Sequence, residues 1–233
     1  MSGNRALVWI RDDFRIHRNN ALVYASENHN QVSAFYLFNL KDFENKREAQ
    51  RWWIYHSLLN FKEELSKYNI SLELLMGDEN DFLKNLKKNE NIAVYWNKIP
   101  EPDQIIIEKK IVKNLEDKEI KFKFFKGNIL NEYNEVTKGD GTPFKVFSPF
   151  WRVAEQIYIN KIPSKISKLK KLSKKNFFFN KSSNFSKILP NKKWYKKFEK
   201  YWSPSETNAN ITIKKLISDK ISSYDVTRDY PSI

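Results

Sequence analysis

Five short apolar runs, separated by segments with helical spacing, constrain the fold of this 233-residue chain more than any other feature. The runs are residues 6–10, 32–38, 71–76, 92–96 and 120–125. The run at residues 6–10 has no polar alternation, which is typical of a strand that is covered on both faces. The alternation of strand and helix predicts an α/β fold: a doubly wound, five-stranded parallel sheet with helices on both faces and right-handed crossovers.

The longest predicted helix covers residues 47–68 and follows a polar connection at 41–46. Its apolar residues recur at three- and four-residue spacing, which is the stripe of an amphipathic helix. They are Trp53, Ile54, Leu58, Phe61 and Leu65. Shorter helices are predicted at residues 21–27, 81–86 and 103–115, the first opened by Asn19 or Asn20 and the last by Pro102.

Beyond residue 127 the alternation stops and smaller features are predicted. The Gly-Asp-Gly triplet at 139–141 signals a turn in a small hairpin or loop. We expect a helix to follow with Ser148 as its N-cap and Pro149 in its first turn. Its shared face would carry Trp151, Ala154 and Ile157. A final helix is predicted at 209–222, with the apolar residues Ile211, Ile213, Leu216, Ile217 and Ile221.

Most of the formal net charge of +14 lies in one stretch. Residues 161–200 contain 14 lysines and one acidic residue, Glu199, and so account for +13 of it. Charge blocks of this kind are usually solvated. We therefore interpret residues 162–203 as a solvated basic connector, with direct contact to nucleic-acid phosphates as the alternative.

The composition excludes several kinds of site. Without cysteine the chain has no disulfide, thiolate nucleophile or cysteine-based metal site. With five glycines, none near the end of the first apolar run, it has neither a P-loop nor a Gly-x-Gly-x-x-Gly turn. His17, His29 and His56 lie in separate elements without metal-ligand spacing. We therefore predict no metal site and no catalytic acid–base or nucleophile constellation.

The chain also lacks an apolar run long enough to span a bilayer and an export signal at its start. The expectation is a cytoplasmic protein with no membrane partner. The seven tryptophans are expected to pack in the core or at a domain interface. They are Trp9, Trp52, Trp53, Trp96, Trp151, Trp194 and Trp202.

Four segments, in the same order, resemble motifs of the DNA photolyase/cryptochrome family. Residues 8–22 are similar to its opening signature, with Arg18 at a position where an aspartate is usual. Residues 95–102 resemble its Trp-Asn-x-x-x-Glu-Pro loop. Residues 141–150, Gly-Thr-Pro-Phe-Lys-Val-Phe-Ser-Pro-Phe, are close to the most specific motif of this half. Residues 224–231 resemble Tyr-x-x-x-Arg-Asp-Phe-Pro.

The resemblance implies a Rossmann-like antenna domain at residues 1–130, an interdomain connector at 131–203 and the truncated start of a helical FAD-binding domain at 204–233. It implies a deoxyribodipyrimidine photo-lyase, in which FAD and blue light repair a cyclobutane pyrimidine dimer flipped out of DNA. The family continues into a Gly-Thr-Ser loop and flavin-enclosing helices that this sequence lacks. By itself, the chain is therefore expected neither to bind FAD nor to repair DNA.

The resemblance also implies roles for individual residues. Tyr224 matches a flavin-contacting position, and Arg228 matches a position that faces DNA. Glu101, Asn97 and Arg51 match positions in or near the family's antenna pocket. No catalytic residue is carried over.

The antenna chromophore is expected to be of the folate or deazaflavin type, and its identity stays open. Ile99 stands where deazaflavin-type members have a second acid, and Asp103-Gln104 stands where folate-type members have Asn-Glu. Arg11, Asp13 and Arg15 match the signature by residue type. We expect them to form an ion-pair cluster within the chain that braces the pocket wall, and not to contact a ligand.

Two alternatives to a repair-enzyme fragment stay open. One is a fragment of a cryptochrome-type light sensor, which shares the fold but does not repair DNA. The other is a stand-alone module that binds an antenna chromophore. DNA containing pyrimidine dimers is the partner implied through the helical domain, which could also be encoded as a separate half.

Overall fold

The computed structural model describes residues 5–39, 48–88, 91–132, 134–160, 168–173, 177, 183–190 and 193–230. The strands are β1 (Arg5–Ile10), β2 (Gln31–Phe38), β3 (Ser71–Met76), β4 (Ile92–Asn97) and β5 (Lys121–Phe125). The helices between them are α1 (Asn20–Asn28), α2 (Glu48–Ser66), α3 (Glu79–Lys84) and α4 (Pro102–Asp117). All nine elements agree with the sequence prediction to within a few residues. The polar connection predicted at 41–46 lies outside the described residues.

The five strands form one parallel sheet in the order β3-β2-β1-β4-β5. Successive strands run outward from β1 in one direction and then, from β4, in the other. The doubly wound prediction is therefore confirmed. In open sheets of this kind, ligands bind beyond the carboxyl ends of the strands, at the point where the strand order reverses. Here that point lies between β1 and β4.

Both faces of the central strands are buried, whereas the residues of the edge strand β5 are exposed or half-buried. One apolar cluster joins Val8 and Ile10 to α1 and α2, for example at Leu22 and Leu58. The other joins Leu7 and Trp9 to α3 and α4, for example at Phe82 and Ile111. Because alternate residues of β1 enter different clusters, the strand must be apolar throughout. This explains the uninterrupted run in the sequence.

The buried side of α2 differs from the predicted stripe at its first turn. Trp52 is 1% exposed, whereas Trp53 is 43% exposed, so the prediction for Trp53 is wrong. Trp52 packs edge-on against Phe198, at 5.4 Å between ring centroids. The burial of Trp52 thus depends on a residue that is distant in sequence. Burial is confirmed for Trp9, Trp52 and Trp96. The other four tryptophans are 40–56% exposed.

The basic connector is not simply solvated. Four of its apolar residues belong to the cluster that contains α1 and α2: Leu169, Leu172, Phe185 and Ile188. Backbone hydrogen bonds join it to the sheet, since Ser183 N donates to Leu74 O at 2.8 Å. For these described parts the solvated interpretation is wrong, because apolar residues interspersed among the lysines provide a buried side.

The hairpin predicted around residues 139–141 is confirmed by an antiparallel bridge between Thr137 and Pro143. Helix α5 (Phe147–Asn160) follows it. The N-cap prediction for Ser148 is wrong, because the helix already includes Phe147. Ala154 is buried in α5, as predicted.

The last predicted helix begins three residues early, as α6 (Glu206–Lys215), because the Ser205 hydroxyl accepts the N–H of Asn208 and caps it. A π-helical turn (Leu216–Lys220), a 3-10 turn (Ile221–Ser223) and the short helix α7 (Tyr224–Thr227) follow. The apolar residues of this segment are 42–59% exposed: Ile211, Ile213, Leu216, Ile217 and Ile221. None of the helices described combines the length and apolarity needed to cross a bilayer.

Candidate ligand sites at the carboxyl edge of the sheet

A buried hydrogen-bond network centred on Asp13 fixes the loop after β1. The Asp13 carboxylate accepts the N–H of Arg11 at 3.2 Å and the side-chain amides of Asn19 and Asn97 at 3.2 and 2.5 Å. Asn97 Oδ1 accepts the N–H of Ala21 at 3.2 Å. Asp13, Asn19 and Asn97 are all buried. The network therefore joins the ends of β1 and β4 to the first turn of α1, at the point where the strand order reverses.

Arg11 turns away from solvent and against α4. Its guanidinium pairs with Glu108 at 3.4 Å, donates to Gln104 and lies over the Trp9 ring at 4.5 Å from the centroid. The indole N–H of Trp96 donates to the same Glu108 carboxylate at 2.6 Å. Burial lowers the pKa of the Arg11 guanidinium, although Glu108 opposes this shift. Arg11 is thus occupied within the chain, as the sequence predicts.

Arg15 departs from the predicted ion-pair cluster. Its guanidinium donates to the side-chain carbonyl of Asn128, which is neutral. Asp13 likewise binds amides and not a guanidinium. Of the three residues, only Arg11 forms an ion pair in the described part of the chain, so the bracing role of Arg11 and Asp13 is confirmed and the ion-pair prediction for Arg15 is wrong.

A cavity of about 110 Å³ lies beside this network. It is formed by the ends of β1, β2 and β3 and the start of α4, with Trp9, Tyr36, Gly77 and Gln104 in its walls. Small-molecule sites usually enclose roughly 300–1,000 Å³. At about 110 Å³, this cavity is smaller than the usual site of a drug-sized ligand.

The structure does not bring the three predicted antenna residues together. Glu101 is exposed at the N-terminus of α4 and makes no capping bond. Asn97 lies in the buried network. Arg51 donates to the backbone carbonyls of Ile188 and Leu189 at 2.9 and 3.0 Å, and so holds the connector. None of the three lines the cavity, and their ligand roles stay predictions.

Tyr224 and Arg228 lie one helical turn apart on α7, where Arg228 N donates to Tyr224 O at 2.9 Å. Tyr224 is 53% exposed, and the Arg228 side chain is 55% exposed with Asp229 at 3.8 Å. Neither lines the cavity of about 110 Å³ beside the Asp13 network. Tyr224 alone cannot enclose an isoalloxazine ring, and the roles of Tyr224 toward FAD and of Arg228 toward DNA stay predictions.

Sequence reasoning missed Glu206, which joins α6 to the loop after β1. Its carboxylate accepts the backbone N–H groups of Ile16 and His17 at 2.7 and 3.0 Å and lies 2.9 Å from Nδ1 of His17. The contact spans about 190 positions, and no local pattern could have indicated it. On one side of it lies a cavity of about 610 Å³ against α2, and on the other an open groove of about 1340 Å³.

Comparison with known proteins identifies the family of the chain. The family model described as DNA photolyase matches residues 6–168. The chain is 31% identical over 231 residues to a deoxyribodipyrimidine photo-lyase of Agrobacterium fabrum, which covers 97% of this chain and 47% of that protein. It is 25% identical to Arabidopsis thaliana cryptochrome-2 over 154 residues, which covers 64% of this chain and 25% of that protein.

Among solved structures, a class III photolyase from Agrobacterium tumefaciens superimposes with a TM-score of 0.85 at 28% identity. The match covers 100% of this chain and 48% of that one. The chain spans about half the length of the curated photo-lyases that it matches. With a family model that matches most of its length and a relative above 30% identity, the chain belongs to the DNA photolyase/cryptochrome family.

Proposed function

We propose that this chain is the antenna half of a deoxyribodipyrimidine photo-lyase that repairs cyclobutane pyrimidine dimers in DNA under blue light. The observation that carries the proposal is the match to photo-lyases over 97% of this chain but only about half of theirs. The domain limits 1–130, 131–203 and 204–233 belong to the same proposal. A cysteine-free composition supports a cytoplasmic setting.

The exposed side of α6 supports a missing helical half. Five aliphatic side chains between Ile211 and Ile221 are 42–59% exposed. A helix that exposes so much apolar surface normally packs against another element. We therefore assign FAD to a helical half outside these residues, either continuous with the chain or encoded separately. Tyr224 would border the flavin there, and Arg228 would face DNA.

The antenna chromophore, of the folate or deazaflavin type, is proposed to lie at the carboxyl edge of the sheet. Support comes from the cavity beside Arg11 at the reversal of strand order, where α/β sheets bind ligands. Glu101, Asn97 and Arg51 remain its predicted neighbours. A stoichiometric near-ultraviolet chromophore on the purified chain would support this role, and a colourless chain would exclude a stand-alone antenna module.

A repair assay tests the enzymatic part. The chain, assembled with its helical half, should remove cyclobutane dimers from an oligonucleotide under blue light and not in the dark. Arg228→Ala should weaken binding to damaged DNA by about tenfold, as expected for one charged contact. A flavin-loaded protein that leaves the dimers intact would overturn the proposal.

The cryptochrome relative favours a second candidate, a light sensor without repair activity. The same assay separates the two functions. A complex that binds FAD and responds to blue light without removing dimers would establish the sensor.

A further inference from the structure

The open groove beside Glu206 is rich in cations. It has a volume of about 1340 Å³ and lies between the loop after β1, the loop after β5 and helices α5 and α6. Its basic residues come from three separate segments of the chain: Arg15, His17, Arg18, Lys126 and Lys214. Amide side chains line it as well, at Asn20, Asn128, Asn131 and Asn210.

The two carboxylates of the groove are already bound. Glu135 pairs with Lys126 at 2.8 Å and accepts the N–H of Glu132 at 2.9 Å. Glu206 accepts the backbone N–H groups of Ile16 and His17 and contacts the His17 ring. Neither carboxylate forms an ion pair with the remaining groove cations among the described contacts.

Three cations of the groove are therefore left without an ion pair, and the Glu206 carboxylate, which no lysine or arginine neutralises among the described contacts, offsets only part of their charge. In the part of the chain that the structure describes, Arg18 and Lys214 form no ion pair, and Arg15 donates only to the neutral Asn128. Arg18 and Lys214 are exposed. Like charges that converge on one groove repel each other unless an anion binds between them.

Arg18 occupies an unusual backbone conformation in the groove. It has a φ of 54°, in the left-handed region that favours Gly, Asn and Asp. The position therefore carries arginine against its backbone preference.

We propose that this groove binds the phosphate backbone of DNA through Arg15, Arg18 and Lys214. The open groove is far larger than one phosphate group, and its cations lie on a loop and a helix distant in sequence. This suits consecutive phosphates of one strand. Its four asparagine side chains can donate hydrogen bonds to phosphate oxygens, and apolar residues such as Ile129 and Leu130 lie beside them.

Such contacts would be independent of base sequence and of the lesion. They would hold duplex DNA against the α/β half while the helical half acts on the dimer. The choice of DNA as the polyanion rests on the proposed function, but the groove and its charges do not.

Salt dependence of binding tests the proposal. Undamaged duplex DNA would be titrated in the dark with the chain, followed by fluorescence anisotropy at several salt concentrations. Removal of one cation that neutralises a phosphate should reduce the slope of log K against log salt by about one. Arg18→Gln/Lys214→Gln should therefore reduce the slope by about two. Arg18→Lys should keep it.

The control is Lys109→Gln/Lys113→Gln, which removes the same charge from α4. Helix α4 packs on the opposite face of the sheet from α1 and α2, and both lysines are exposed. The control should leave the slope unchanged, with melting temperatures matched across the variants. Equal slopes in the two double variants, or binding to phosphatidylserine vesicles in preference to DNA, would overturn the proposal.

The assay uses neither FAD, light nor a lesion. If dimer repair failed, the groove variants could still change the slope of log K against log salt. If the groove variants left that slope unchanged, the repair proposal would still stand.

Discussion

Asp13 is the residue on which the geometry of the carboxyl edge depends most. It is 5% exposed and accepts hydrogen bonds from three groups, on Arg11, Asn19 and Asn97. A buried donor without an acceptor is costly, since water cannot reach it to replace the hydrogen bond. Asp12, its neighbour, is exposed and lines the cavities on either side.

Replacement of Asp13 by Ala should therefore lower the free energy of unfolding by about 2–4 kcal/mol, because three donors lose one shared acceptor. Asp12→Ala is the matched control and should change it by less than about 0.5 kcal/mol. Urea unfolding measures both. An Asp13→Ala chain that unfolds like the parent but alters a bound chromophore's spectrum would show that Asp13 contacts the ligand instead.

Residue-level prediction from sequence succeeded where the contact is local. The bracing role of Asp13 was predictable because its partners Arg11 and Asn19 lie in the same signature. Trp53 was assigned to the buried stripe because Phe198, which packs on Trp52, is distant in sequence. Glu206 was missed for the same reason.

At the scale of elements, α2 is where the α/β half and the connector meet. Trp52 and His56 pack with their ring centroids 4.6 Å apart and their planes tilted by 48°, and Trp52 also packs on Phe198. Burial lowers the pKa of His56, while the nearby carboxylate of Glu199 opposes the shift. The folded protein consequently favours neutral His56.

This gives the His56 region a pH dependence with a defined sign. A histidine with a lowered pKa binds fewer protons in the folded state, so stability is lost as the pH falls through the unfolded value of about 6.5. His56→Gln should lose less stability than the parent between pH 8 and pH 5.5, and Glu199→Gln should lose more. Urea unfolding at the two pH values provides the test, and identical losses in all three proteins would contradict it.

The same interface depends on Arg51, whose guanidinium donates to two carbonyl groups of the connector. Arg51→Ala should lower the free energy of unfolding by about 1–3 kcal/mol and speed hydrogen exchange at Ile188 and Leu189. Arg51→Lys should restore only part of the stability, because an ammonium lacks the planar fork that reaches both carbonyls. Unchanged exchange in Arg51→Ala would show that the connector is held by its apolar residues alone.

The elements themselves were largely predictable because each strand is rich in apolar residues and each break is marked by a polar, Gly or Pro residue. Ser71–Met76, ended by Gly77, was placed without error. The start of α5 was predicted one residue too late. Ser148 and Pro149 form a favourable N-cap pattern, but the helix already includes Phe147. The buried residues of the connector were not predicted, because the lysines between them break up any apolar pattern in the sequence.

At the scale of the whole molecule, the described chain has a complete α/β core and incomplete outer surfaces. Aromatic residues of α5, such as Phe147 and Trp151, are 69% and 40% exposed and stack on each other at 6.1 Å. The aliphatic residues of α6 and the turns that follow it are exposed as well. We expect these surfaces to contact the proposed helical half.

Flavin binding tests the central claim most directly. The purified chain alone should carry no FAD, whereas the chain co-purified with its helical half should form a complex with stoichiometric FAD, measured by visible absorbance after gel filtration. Leu216→Asp/Ile217→Asp should weaken that complex, because it places charge on the exposed aliphatic side. Stoichiometric FAD on the chain alone, or failure of the two halves to associate, would contradict the assignment of this chain as the antenna half.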